Sequence, residues 1–251
     1  MNNYEKLEGM VAATFTPMDE NGDVNLSVID KYADWIASTP IKGIFVCGTT
    51  GEFSSLTIDE RKLILEKWLV SARKRFKVIA HVGSNCQRSA MELARHAAQV
   101  GADAIASIAP SFFKPGTVDE LVDFFAPICH SAAGLPFYYY NMPSITGVNL
   151  PVDKFLVEGK KKIPNLVGTK FTHNNLMEMG VCIELEQHRF EVLHGYDEIL
   201  ISGLAMGAVA GVGSTYNYIP NVYQAIFDSM KMNDLETARH NQIKSIRTVE
   251  V

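Results

Sequence analysis

The chain lacks what several function classes require. Its four cysteines, Cys47, Cys86, Cys129 and Cys182, form no CxxC pair, and its seven histidines never fall as HxH or HxxxH. A disulfide framework or a zinc centre needs closer spacing or neighbouring ligands, so buried, reduced thiols and no metal are expected. There is no excess of basic residues: 23 Lys+Arg stand against 28 Asp+Glu, for a formal charge of −5. Nucleic-acid binding, which needs a clustered cationic surface, is not expected. No apolar run approaches the roughly 20 residues of a membrane span. The start, Met1-Asn2-Asn3-Tyr4-Glu5-Lys6, is polar and carries no apolar leader segment, which points to the cytoplasm. Low-complexity stretches and long linkers are missing too.

What is present is an ordinary core-forming composition over 251 residues, 47% hydrophobic, 10% aromatic and 20% charged. Short apolar runs at 10–14, 43–47, 77–82, 104–108, 136–140, 166–170, 191–194 and 208–212 read as strands. Longer amphipathic stretches at 26–37, 58–76, 89–100, 118–131, 152–158, 176–186, 198–206 and 216–230 read as helices. In the fourth of these, Leu121, Val122, Phe124, Phe125 and Ile128 recur at helical spacing among Asp119, Glu120 and Asp123. Thr57 followed by Glu60 has the form of a helix-capping pair. Strands that are apolar on both faces and alternate with helices make a parallel sheet covered on both sides. Repeats of that unit over this length predict an α/β fold, a (β/α)8 barrel at 1–231, with the start of a C-terminal helical extension at 232–251.

A barrel places its chemistry at the C-terminal ends of its strands, and the noteworthy polar residues fall there. Lys170 ends the run Leu166-Val167-Gly168-Thr169-Lys170. An ammonium there loses hydration, which favours a neutral, nucleophilic amine able to form an imine with a ketone; the plainer reading is a lysine that snorkels out or pairs with an acid. Tyr138-Tyr139-Tyr140 must alternate in direction, so Tyr140 at the rim and Tyr138 below it share the interior while Tyr139 faces the helices. A phenol at the rim can carry a proton to or from a substrate hydroxyl, or it can simply pack. Gly48-Thr49-Thr50-Gly51 offers hydroxyls and N–H groups to a small carboxylate and does not fit the phosphate-loop pattern. Beside Gly211-Val212-Gly213-Ser214, the acids Asp197 and Glu198 would repel a phosphate and suit a polyol.

Five stretches in chain order, GTTGE at 48–52, YYYNMPSITG at 138–147, GTKF at 168–171, GYDE at 195–198 and GSTYN at 213–217, are weak singly and specific together. From about Leu7 to Tyr218 the chain resembles the N-acetylneuraminate lyase branch of the pyruvate-dependent class I aldolases, a superfamily that includes the dihydrodipicolinate synthases. The resemblance implies reversible cleavage of N-acetylneuraminate to N-acetylmannosamine and pyruvate, through a covalent imine and without a cofactor. It makes Lys170 the imine-forming residue, Tyr140 the proton-transferring one, and Thr49 and Thr50 the holders of the pyruvate carboxylate. Thr172, Gly195, Asp197, Glu198 and Ser214 match positions that contact the hydroxylated part of the substrate. It also implies small-molecule partners and a homotetramer.

Two departures favour the lyases over the synthases. The synthases resemble one another in an Arg soon after the YN(V/I)P turn, where this chain has Pro143-Ser144-Ile145-Thr146-Gly147, and in a tyrosine after the fourth strand, where it has Phe112-Phe113. Another aldolase of 2-keto-3-deoxy sugar acids, a dihydrodipicolinate synthase and a non-catalytic ligand sensor are the alternatives. The resemblance finally implies further helices past Val251. Leu235, Ala238, Ile243, Ile246 and Val249 then read as the apolar stripe of the first of them, with apolar area exposed for want of its partners.

Overall fold

The computed structural model describes residues 5–250; residues 1–4, which carry the polar start, and Val251 lie outside them. Eight strands, β1 (Gly9–Ala13), β2 (Gly43–Val46), β3 (Lys77–His81), β4 (Ala104–Ile108), β5 (Phe137–Asn141), β6 (Leu166–Phe171), β7 (Glu191–His194) and β8 (Ala210–Gly213), follow one another around a closed sheet. All pairings are parallel, and β8 returns to β1. Helices cover the outside: α1 (Ile29–Ala37), α2 (Ile58–Ala72), α3 (Gln87–Val100), α4 (Val118–Ser131), α5 (Pro143–Thr146), α6 (Val152–Lys162), α7 (Leu176–Glu184), α8 (Leu200–Ala205), α9 (Pro220–Lys231) and α10 (Leu235–Val249). This is the (β/α)8 barrel that the alternating pattern predicts. Among the described residues no helix is long and apolar enough to cross a membrane.

The pleat sorts each strand into two layers. Val11, Phe45, Ile79, Ala106, Tyr138, Tyr140, Leu193 and Val212 pack inside the barrel. Their neighbours Ala12, Val46, Val78, Ile105, Tyr139 and Val192 pack outward against the helices. Register then sets the rim: Ile108 pairs with Tyr140, Tyr140 with Lys170, and Lys170 with Leu193. One residue of slip in β5 or β6 would turn Tyr140 or Lys170 out to the helix layer.

Helix ends follow local chemistry. Thr57 and Glu60 form the reciprocal cap that starts α2. The stretch read as one helix at 58–76 stops at Ala72, because Arg73 and Lys74 turn left-handed. The stretch 216–230 divides at Pro220, whose fixed φ starts α9 and whose missing N–H cannot continue a preceding turn. Residues 198–206 likewise begin with a tight turn, Asp197–Ile199, ahead of α8.

The closing seam joins the two ends of the barrel. Gly9 pairs with Ala210 and Ala12 with Gly213. Over that seam Asn217 donates from Nδ2 to Ala13 O and Ser214 O, both at 2.7 Å. Its side-chain oxygen accepts from the Tyr32 hydroxyl at 2.6 Å, and its carbonyl from Trp35 Nε1 at 2.8 Å. Beyond α9, α10 buries a face that apolar periodicity does not pick out. Asn241, Gln242 and Ser245 are buried with Ala238, whereas Leu235, Ile243 and Val249 are exposed.

Candidate active site

Lys170, at the end of β6, is 4% exposed. Its Nζ lies 4.1 Å from the ring centroid of Tyr140 and 4.5 Å from that of Phe45. The two rings stand edge to face, with centroids 5.6 Å apart. Among the described residues no carboxylate pairs with Lys170, so neither the snorkelling nor the salt-bridged reading describes it. Two aromatic faces favour positive charge at this nitrogen, which is the charge a protonated imine carries.

The Tyr140 hydroxyl lies 3.2 Å from Thr49 Oγ1 and donates to Met142 Sδ at 3.0 Å. A thioether is a weak acceptor, so the phenolic proton is loosely held and free to exchange with a better partner. Thr49 is exposed and Thr50 half-buried on the loop after β2. The loop is fixed from behind by His81. Ile108 N–H donates to its Nε2 at 3.3 Å, so the ring proton sits on Nδ1 and is donated to Cys47 O at 2.7 Å. Burial holds His81 well below the ordinary histidine range, leaving it neutral. Arg61 in turn donates to His81 O and Gly83 O at 2.7 and 2.9 Å.

The remaining residues singled out by sequence gather at the ends of β6, β7 and β8. Thr172 is buried and its Oγ1 meets no partner among the described residues. Gly195, half-buried, donates its N–H to Phe171 O at 2.9 Å. Glu198 and Ser214 are half-buried on the turns after β7 and β8. Asp197 is 4% exposed, and its Oδ2 accepts from Thr215 N at 2.8 Å and Thr215 Oγ1 at 2.6 Å. Its carboxylate occupies the space beside Gly213, where any Cβ would fall 1.7 Å from Oδ1. Only glycine at that position admits the acid. Among the described residues no group of three or more His, Cys, Asp or Glu is placed to hold a metal ion.

Burial pushes Asp197 up to about 6, opposed by the Thr215 hydrogen bonds and the nearby Lys170 charge, with Glu198 adding to the rise. A raised carboxyl binds a proton in the folded state that the unfolded chain has released, so it lowers stability as pH climbs from about 4 to 6. His194, buried beneath α8, is pushed down to about 4 and works the other way, losing stability as pH falls below its ordinary range. Each amounts to about 3 kcal/mol, at about 1.4 per pH unit. The two nearly cancel. Asp197→Asn should therefore gain about 3 kcal/mol relative to wild type between pH 4 and pH 7, read as the difference between paired denaturant titrations. A constant difference across that range would contradict the buried, raised carboxyl.

Sequence reasoning missed Phe45, Met142 and His81, and gave Thr215, inside the GSTYN stretch, no role. Met142 was within sight, since it follows Tyr140-Asn141 directly, but the others act through tertiary contacts that no local pattern announces.

A family model described as the dihydrodipicolinate synthetase family matches residues 6–250. The chain belongs to that family. N-acetylneuraminate lyase of Gallus gallus is 45% identical over 245 residues, covering 96% of this chain and 80% of that protein. N-acetylneuraminate lyase of Mus musculus is 43% identical over 248 residues, covering 98% and 78%. The solved Proteus mirabilis N-acetylneuraminate lyase superposes with a TM-score of 0.96 at 35% identity, over 98% of this chain and 83% of that one. The resemblance carried by the five motifs thus extends across the family's barrel.

Proposed function

We propose that this chain cleaves N-acetylneuraminate reversibly to N-acetylmannosamine and pyruvate, through an imine on Lys170. The observation that carries the reading is the Lys170 amine, unpaired among the described residues, set over the Tyr140 ring whose hydroxyl reaches Thr49. The lyases to which the chain is similar support the choice of substrate.

In this reading Thr49 and Thr50 hold the carboxylate of the open-chain 2-keto acid, so its C2 carbonyl faces Lys170. The neutral amine attacks C2, the Tyr140 phenol gives its proton to the departing hydroxyl, and water departs, leaving a protonated imine whose charge the Tyr140 and Phe45 faces favour. The imine draws the electron pair of the C3–C4 bond as that bond breaks. The C4 hydroxyl gives up its proton and becomes the aldehyde of the leaving sugar. The Tyr140 phenolate, directly or through the substrate carboxylate, takes that proton and delivers it to C3 of the enamine. Water then hydrolyses the protonated imine, releasing pyruvate and the free amine, and the proton set free returns to Tyr140. Thr172, Gly195, Asp197, Glu198 and Ser214 receive the hydroxylated tail. No cofactor enters these steps. Action in the cytoplasm as a homotetramer completes the reading.

Two measurements test it. Incubation with pyruvate and borohydride should add one reduced pyruvate to the intact mass, and N-acetylneuraminate should yield pyruvate in a coupled assay. No adduct would favour a ligand sensor; an adduct without cleavage would favour another 2-keto acid aldolase. Tyr140→Phe keeps the ring over Lys170 and removes only the hydroxyl. Trapping should persist while turnover falls roughly 10²–10⁴-fold, the scale of one acid–base group. Turnover within a few-fold of wild type would leave Tyr140 as packing alone.

A further inference from the structure

A helix packed onto a barrel only for stability would bury its apolar residues. The helix α10 does the reverse: Gln242 and Ser245 are 4% and 0% exposed while Ile243 between them is 43% exposed. Buried polar side chains cost stability unless their hydrogen bonds are met, so the bonds they make explain why this face points inward.

Those bonds lead to one residue. Gln242 Nε2 donates to Asp197 O at 3.0 Å and to Ser245 Oγ at 2.7 Å, and its Oε1 accepts from Ile201 N at 2.9 Å. Ser245 Oγ reaches Gln242 O at 2.8 Å and also the Tyr223 hydroxyl on α9. The Tyr223 hydroxyl lies 2.6 Å from Thr215 Oγ1, which bonds Asp197 Oδ2 at 2.6 Å. Proton counting gives this line a direction. An ionised carboxylate only accepts, so the single Thr215 hydroxyl proton is committed to it and Tyr223 donates to Thr215, while Ser245, whose own proton goes to Gln242 O, lies against the Tyr223 hydroxyl. The circuit joins the Gln242 amide, by way of Ser245, Tyr223 and Thr215, to the Asp197 carboxylate, while the other Gln242 proton holds the Asp197 carbonyl. Both ends of one residue are gripped from α10.

We propose that Gln242, Ser245 and Tyr223 are positioning residues for Asp197, so that α10 governs affinity for the hydroxylated half of the substrate and leaves the pyruvate half untouched. The inference rests on the function proposed above. Lys170, Tyr140 and Thr49 share no bond with this circuit, which is what separates the two halves.

The test uses Tyr223→Phe and Gln242→Leu. Both should raise KM for N-acetylneuraminate about tenfold, the scale of one weakened hydrogen bond to a carboxylate. Pyruvate half-saturation in borohydride trapping should stay within about twofold of wild type. Gln242→Glu, which keeps an acceptor for Ile201 but brings no donor, should behave as Gln242→Leu. A readout free of substrate is the Asp197 carboxyl titration by 13C NMR, assigned with Asp197→Asn. Its midpoint should rise in Tyr223→Phe, since Lys170, Glu198, Tyr216 and Tyr218, the other groups around it, are unchanged. KM and midpoint both unmoved, or KM and pyruvate half-saturation rising together, would overturn the proposal. If the wild-type chain does not cleave N-acetylneuraminate, the functional reading falls and the titration alone decides the positioning claim. If Gln242→Leu does not fold, Tyr223→Phe, which keeps the ring, decides it.

Discussion

Lys170→Ala is expected to gain no mass on incubation with pyruvate and borohydride, and to lose N-acetylneuraminate cleavage to the uncatalysed background. Alanine offers no amine, and the imine is the step on which the bond-breaking depends. Lys170→Arg should fail as fully, although it keeps positive charge between the Phe45 and Tyr140 rings. A guanidinium stays protonated and cannot attack a carbonyl. The pair of variants separates a covalent role from an electrostatic one. Trapping at full yield in Lys170→Ala would move the nucleophile to another lysine, and cleavage retained in Lys170→Arg would make the residue a charge and not a nucleophile.

The second large effect is expected at the glycine two residues before that lysine. A Cβ on Gly168 would lie 1.9 Å from Glu191 O and within 2.9 Å of Glu191 C and N. Gly168 is the register partner of Glu191, so the obstacle is the backbone of the neighbouring strand, and it yields only if β6 and β7 part. Gly168→Ala should be insoluble, or should melt about 10 °C or more below wild type, the upper range for one substitution in a domain of this size. Gly116→Ala is the control: its Cβ would meet only Glu120 Oε2, at 3.6 Å, and its melting point should barely change. If both variants melted alike, the close approach of β6 and β7 would be wrong.

That glycine shows why part of this site was readable and part was not. Strand positions followed from apolar runs on both faces, and the alternation in Tyr138-Tyr139-Tyr140 told which ring enters the barrel, because a pleat leaves no other choice. Lys170 stood out because charge at the end of such a run is rare. Asp197 and Glu198 were legible as acids near the mouth. Their unequal surroundings, one buried against Thr215 and the other half-exposed, were not. Those differences arise from residues far along the chain. In α10 apolar periodicity picks out Leu235, Ile243 and Val249, which lie exposed; nothing local announced the buried face, where Gln242 and Ser245 have their value in bonds to Asp197 and Tyr223 rather than in hydrophobicity. Helix ends failed for a similar reason. Arg73 and Lys74 carry no local mark of a left-handed turn.

The seam held by Asn217 has a consequence for the order of events in folding. Strand β1 is made first, and its partner β8 and the Asn217 side chain that grips Ala13 O come about 200 positions later. Closing so long a loop costs entropy before any contact repays it. On a growing chain, therefore, Gly9–Ala13 waits with one edge unpaired until Ala210–Gly213 has emerged, and an open strand edge is a place where wrong partners add. Refolding followed by tryptophan emission should show this directly. Trp35, whose indole N–H reports on the Asn217 carbonyl, should change in the last phase, together with the return of borohydride trapping, while Trp68, on the buried face of α2, changes earlier.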